Sequence, residues 1–185
     1  MHLIPYVEVN GAWTLTDAYT AALFERMQAE GTAKRVFHGG GVQTSEQFVK
    51  WLKSRRVSVL LITEDDAAPL MLSWTAGHED RRCWGNFCVF KSAWGQRTQE
   101  LFQMTLDYWF DLADDAGRPI FDIILGLTPE NNRLAIATAK KCGASFAGAI
   151  PNFGTNHWTG QRYGAAISYW ERGTYGRSDR CIAGQ

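Results

Sequence analysis

Apolar positions along the chain switch between two periods, and each switch predicts the start of a new element. Leu3, Pro5 and Val7 alternate, which predicts a first strand over His2 to Val9. From about Thr14 the spacing opens to four residues, and Leu15, Tyr19, Leu23 and Met27 mark one stripe of a helix that Gly31 stops. Thr44-Ser45-Glu46-Gln47 has capping-box spacing and opens a short helix whose apolar side is Phe48, Trp51 and Leu52. At Val57 the period shortens again. Val57–Thr63, Pro69–Ala76 and Arg82–Phe90 predict successive antiparallel strands, separated by the polar turns Glu64-Asp65-Asp66 and His78-Glu79-Asp80.

Gln96 to about Ala113 is the longest helical stretch, with Leu101, Met104, Tyr108, Trp109 and Leu112 on one buried stripe. Ile120–Leu125 reads as a buried strand. Thr128 then suits a helix cap, Pro129 the first helical position and Glu130 the positive helix end; Lys140, Lys141 and Gly143 close that helix. Ser145–Ile150 and Tyr163–Trp170 predict two last strands, joined by a polar, glycine-rich loop over Pro151–Gly160.

Composition narrows what such a chain can do. Its 185 residues fit one domain over residues 1–172, followed by a loose tail at 173–185. Equal numbers of basic and acidic side chains, 19 of each, remove the electrostatic footprint of a nucleic-acid binder. No apolar run approaches the ~20 residues that span a bilayer, and the start lacks the layout of a signal peptide, so no membrane partner and a cytoplasmic location are expected. Cys83, Cys88, Cys142 and Cys181 show no C-x-x-C spacing, and the histidines are scattered, so no metal site is expected. The eight tryptophans are many for this length. Trp13, Trp51, Trp74 and Trp109 fall in periodic runs that read as core, whereas Trp94 and Trp158 fall in loops and Trp84 on a strand, where they can line a groove.

The order of elements resembles the GNAT acyltransferase fold, an α/β (mixed α+β) architecture with a central, mostly antiparallel sheet flanked by helices. Two local segments carry the resemblance further. Val89-Phe90-Lys91-Ser92-Ala93-Trp94-Gly95-Gln96-Arg97-Thr98 is similar to the segment that joins the fourth strand to the third helix in these enzymes, above all in the branch that acetylates ribosomal-protein N-termini. The resemblance implies that Val89, Phe90, Trp94, Gly95, Gln96, Arg97 and Thr98 contact coenzyme A. The physical reason is general: a helix N-terminus offers unpaired N–H groups and a positive dipole end to phosphate, and Arg97 can add a bidentate contact. Asn132-Arg133-Leu134-Ala135 with Lys140-Lys141-Cys142-Gly143 resembles the family's following helix, which puts Asn132 on a coenzyme-contacting asparagine. The segment departs from the family in lacking a second glycine in the first turn. In the second, Ala144 replaces a phenylalanine, and Ala139 stands where many members carry a tyrosine that protonates the leaving thiolate.

The resemblance implies acetyl transfer from acetyl-CoA (or another acyl-CoA), as co-substrate, to a primary amine of a small molecule or peptide by direct attack. It needs no metal and permits a homodimer. An N–H late in the third antiparallel strand, at Val89 or Phe90, would stabilise the oxyanion. The attacking amine must be neutral, and the candidate bases are His38, Asp122 and, in a hairpin turn, His78 and Glu79; His38 is favoured, because the ordinary histidine pKa of ~6.5 suits the task. Cys88 reads as a small buried hydrophobe. His38-Gly39-Gly40-Gly41 matches the oxyanion loop of some hydrolases, but no G-x-S-x-G elbow lies between a strand and a helix to serve it. The competing expectation is a domain of the same fold without catalysis, holding coenzyme A or a partner chain.

Overall fold

The computed structural model describes residues 1–54, 56–64 and 68–175. In chain order the elements are β1 (His2–Pro5), β2 (Glu8–Val9), β3 (Ala12–Trp13), α1 (Asp17–Ala29), α2 (Ala33–Val36), α3 (Ser45–Leu52), β4 (Val57–Thr63), β5 (Pro69–Glu79) and β6 (Arg82–Val89). A 3-10 turn (Lys91–Ala93), α4 (Gln96–Asp111), β7 (Ile123–Pro129), α5 (Arg133–Lys141), β8 (Ser145–Thr155) and β9 (Arg162–Glu171) follow. The main sheet has seven strands in the order β1-β4-β5-β6-β7-β9-β8. Its pairs are antiparallel except β6 with β7. The expected mixed α/β class with a mostly antiparallel sheet is what the chain forms.

Alternation along the strands divides the core between two faces. Leu61, Leu72, Trp74, Cys88 and Phe90 pack with Leu23, Phe24, Met27 and Phe48 under α1 and α3. Cys83, Ile124 and Trp170 pack with Leu101, Leu106 and Trp109 under α4 and with Ala139 of α5. The first face is rich in aromatic contacts; Phe37 stacks on Trp74 at 5.6 Å, and Phe24 lies 5.1 Å from Phe48. No helix among the described residues is long and apolar enough to cross a membrane.

Local chemistry explains several boundaries. Thr16 and Thr44 cap α1 and α3, accepting from the N–H groups of Tyr19 and Gln47 at 3.2 Å each. Other boundaries differ from the periodicity. Residues expected in one first strand instead split after Pro5 into β1 and the β2–β3 hairpin, because Asn10 and Gly11 both adopt positive φ. The strand expected to end at Leu125 continues to Pro129, because β9 is long enough to pair with all of it. Thr128 therefore does not cap α5; Asn132 does, its Oδ1 accepting from Ala135 N–H at 3.4 Å. Half of the expected loop at 151–160 is strand. β8 passes through Pro151 at the sheet edge, where a missing N–H is tolerated, and irregular register absorbs the extra residues. The expected turn at 64–66 lies partly, and the tail at 176–185 wholly, outside the described residues. Tyr175 packs against Phe110 at 5.2 Å, so the folded body reaches past Arg172.

The feature that positions everything functional is a fork. β6 and β7 pair from Arg82↔Ile123 to Trp84↔Leu125, and beyond those residues they separate. Gly85 opens the diverging arm of β6, and a Cβ there would lie 2.7 Å from Cγ2 of the fully buried Ile124. Gly85→Ala is therefore expected to overpack the fork and destabilise the fold by roughly 1–3 kcal/mol. Urea unfolding should show a lower midpoint with an unchanged slope.

Candidate active site

The arms of the fork enclose a cavity of about 460 Å³. Gly85–Val89 form one wall and Gly126–Pro129 the other, and the space passes from one face of the sheet to the opposite one. On one face it is closed by the turn before α4, by α5 and by Trp170. On the other it is bounded by Thr32, Arg35, Val36 and His38, on or beside α2.

The walls are chemically unusual because they are backbone. Phe90 N–H donates to Leu70 C=O at 2.9 Å, which fixes the parity of the β5–β6 ladder. Phe87 and Val89 then direct their N–H and C=O groups away from β5, toward the cavity. On β7, Glu130 N–H donates to Gly164 C=O at 2.9 Å, so Leu127 directs its own backbone groups toward the same space. Pro129 lacks its N–H on this unpaired edge, where no ladder bond is lost. An extended ligand chain entering the fork meets donors and acceptors from both sides.

The turn before α4 is tightly held. Gly95 caps the helix at φ 98°, a left-handed conformation that favours glycine, and no side chain caps the first turn. Trp94, still 43% exposed, donates its indole N–H to Val89 C=O at 2.9 Å. Glu30, at the end of α1, accepts from Lys91 N–H at 2.7 Å and pairs with Arg26 at 2.8 Å. Arg26 in turn donates to Pro69 C=O at 3.1 Å and Ser92 Oγ at 3.0 Å, with its guanidinium 4.4 Å over the Phe90 ring. The turn is thus braced from α1. The start of α4, which no side chain caps, lines the cavity at Gly95, Gln96 and Thr98 and suits a phosphate group.

On the opposite face, His38 lies half-buried beside Tyr163, ring centroids 4.9 Å apart. Its Nδ1 is 3.3 Å from Arg35 C=O; donation there leaves the Nε2 lone pair free. Burial lowers its pKa below the usual histidine value, against the opposing pull of the Arg35 and Val36 carbonyls. The β8–β9 loop fixes this segment from outside. His157 N–H donates to His38 C=O at 2.8 Å, and Trp158 Nε1–H donates to Phe37 C=O at 3.0 Å.

Of the residues singled out from sequence, Val89, Trp94, Gly95, Gln96, Thr98, Asn132 and His38 line this cavity. Three do not. Phe90 is fully buried under α1, and its N–H is spent on Leu70, so Val89 is the residue of the pair whose amide faces the fork. Arg97 turns outward into a bidentate pair with Glu64, at 2.9 and 2.8 Å. Asp122 precedes β7 at the closed end of the fork, pairing with Arg81 at 2.9 Å and lying 3.8 Å from Arg172. Periodicity also missed cavity residues: Asn86 and Leu127 on the arms, Arg35 in α2, and Ser168. Ser168 is the polar member of an apolar β9 run and is 2% exposed, which was its available signal. Cys88 is buried, its thiol pushed up to about 12 by desolvation, as suits a packing residue. Trp74 and Trp109 are core, whereas Trp13 and Trp51 are half-buried against it. Among the described residues no group of three or more His, Cys, Asp or Glu side chains could hold a metal ion.

The sequence matches no protein-family model and no curated protein. The fold does have solved counterparts. A spermidine N-acetyltransferase from Vibrio cholerae, solved with CoA and spermine, is 10% identical and superposes with a TM-score of 0.71 over 94% of this chain and 97% of its own. A GNAT-family protein from Chromobacterium violaceum is 13% identical, with a TM-score of 0.67 over 86% and 81%. A candidate phosphinothricin N-acetyltransferase is 12% identical, with a TM-score of 0.61 over 92% and 98%. The chain has the fold of GNAT acyltransferases.

The brace on the α4 turn is directly testable. Glu30→Ala removes a charge-assisted bond to Lys91 N–H together with the Arg26 pair, and should cost about 1.5–3 kcal/mol. Hydrogen exchange is expected to show faster exchange confined to Lys91–Trp94, which global destabilisation alone would not produce.

Proposed function

We propose that the protein transfers an acyl group, in the first instance acetyl, from acyl-coenzyme A to a primary amine by direct attack in a ternary complex. The observation that carries this reading is the cavity through the fork: an anion-suited helix start opens on one face, His38 borders the other, and unpaired backbone lies between them. Coenzyme-bound and acetyltransferase structures of the same fold support it.

Coenzyme A supplies an activated thioester. In this reading the α4 turn and Asn132 hold its phosphate-bearing half, and the backbone edges of β6 and β7 align its extended arm as an added strand. The N–H of Val89 or Phe87 faces the fork and would donate to the acyl oxygen as negative charge develops there. His38 Nε2 takes a proton from the amine as the new N–C bond forms and the C–S bond breaks. The departing thiolate, with a free pKa of ~8.5, then picks up a proton with little assistance, so the alanine at position 139 does not block the reaction. The acceptor is an amine of a small molecule or of a peptide N-terminus; an α-amine, with a pKa of ~8, asks less of the base than a lysine at ~10.4.

Coenzyme binding can be checked without knowing the acceptor. Millimolar acetyl-CoA should raise the melting temperature, because a ligand of the native state stabilises it by mass action. No shift would sink the reading, and a shift without thiol release across an amine panel would identify a non-catalytic binding domain. His38 makes a second prediction. Because burial lowers its pKa, the base is neutral and ready at pH 7, and activity should fall only as pH drops through a value below 6.5. His38→Gln should abolish that acid limb and reduce kcat/KM at pH 7 roughly 10²-fold. An unchanged pH profile would remove His38 from the mechanism.

A further inference from the structure

The charges bordering the cavity are one-sided. Arg35 and Lys141 line it, and among the described residues no aspartate or glutamate does. The two basic residues lie at opposite ends. Lys141 ends α5, and its C=O accepts from Gln99 of α4 at 3.4 Å, which puts it on the face of the anion-suited helix start. Arg35 lies in α2, on the face that borders His38.

Arg35 also differs from six of the thirteen arginines of this chain. Arg26, Arg81, Arg82, Arg97, Arg118 and Arg172 each lie within ion-pair distance of a carboxylate. Among the described residues Arg35 has no such partner, although it borders a cavity. A guanidinium is a planar fork of donors that matches a carboxylate in two parallel hydrogen bonds. His38 Nδ1 also lies 3.3 Å from Arg35 C=O, so the two residues are neighbours at this end of the cavity. A carboxylate held by Arg35 would therefore leave an amine a few bonds away within reach of His38.

We propose that Arg35 is a specificity-determining residue that binds a carboxylate of the acceptor, and that the acceptor is a small amine carrying that carboxylate a few bonds from its nitrogen. The inference rests on the acyltransferase reading and deepens it. A polycationic amine fits this end of the cavity poorly. It would bring like charge against Arg35, with no lining carboxylate to offset it.

The test compares matched acceptors, each amino acid against its own amide and its decarboxylated amine, with spermidine as a polycation control. Thiol release is measured for the wild type, Arg35→Gln and Arg35→Lys, and each protein is first checked for its melting shift with acetyl-CoA. The wild type should favour the carboxylate by about 10- to 100-fold in kcat/KM, mostly through KM, as the loss of a charge-assisted pair predicts. In Arg35→Gln that ratio should fall toward one, and Arg35→Lys, which keeps the charge but not the fork, should fall between. A coenzyme shift with no preference for the carboxylate, or a preference that survives in Arg35→Gln, overturns the inference and leaves the acyltransferase reading standing. Absence of the coenzyme shift overturns both.

Discussion

Backbone hydrogen bonding that stops partway along one strand pair is the constraint on which this structure turns. Buried N–H and C=O groups are almost always paired, and a central parallel pair is where pairing is normally most complete. Here β6 and β7 give up their ladder after Trp84 and Leu125, in the middle of the sheet. The neighbouring ladders do not follow. β5 holds β6 through Val89, and β9 holds β7 through Pro129, so each arm is fixed from its outer side while its inner side is open. The cavity is thus a rigid opening with polar walls, maintained by two intact sheets that share a vertex.

That arrangement suits the anionic ligand of the proposed function on a chain of zero net charge. A wide basic face is unnecessary when the donors are main-chain groups and a helix start aimed at one place. The side-chain charges near the turn are spent on shape. Arg26 and Glu30 neutralise one another while bracing Lys91 and Ser92, and Arg97 and Glu64 do the same on the other side of the helix start. The hydrogen bonds from Arg97 hold the Glu64 carboxyl below its usual range. Trp94 serves the turn as well, its indole satisfying the Val89 carbonyl that the open ladder leaves over.

Much of the architecture was legible because it follows from local chemistry. The caps at Thr16 and Thr44, the stripe of α4 and the order of strands all appear as patterns in sequence. The first hairpin was legible and overlooked, since Asn10-Gly11 is the strongest short signal for a tight turn. α2 was not legible, because four residues carry no period. The fork itself was also hidden. Alternation assigns residues to faces but says nothing of whether a neighbouring strand stays in contact, so Asn86 and Leu127 looked like ordinary strand positions. Phe90 and Val89 show the same limit from another side: their roles differ by ladder parity, which depends on the pairing of Leu70 with Phe90 across the sheet. Arg97 and Asp122 were misplaced because their partners, Glu64 and Arg81, are distant in sequence.

The loop between β8 and β9 carries one more implication. Trp158 and His157 reach back to Phe37 and His38, joining segments 121 residues apart in the Trp158–Phe37 bond. Closing so long a loop is entropically slow and comes after local elements have formed. One side of the cavity is therefore unfinished until almost the whole chain has been made. A nascent chain emerging from the ribosome would carry its helix-start turn and lower sheet before it had a complete wall around His38. The opposite face waits equally long, because Trp170 and the β9 strand that holds β7 through Pro129 follow Trp158 in the chain.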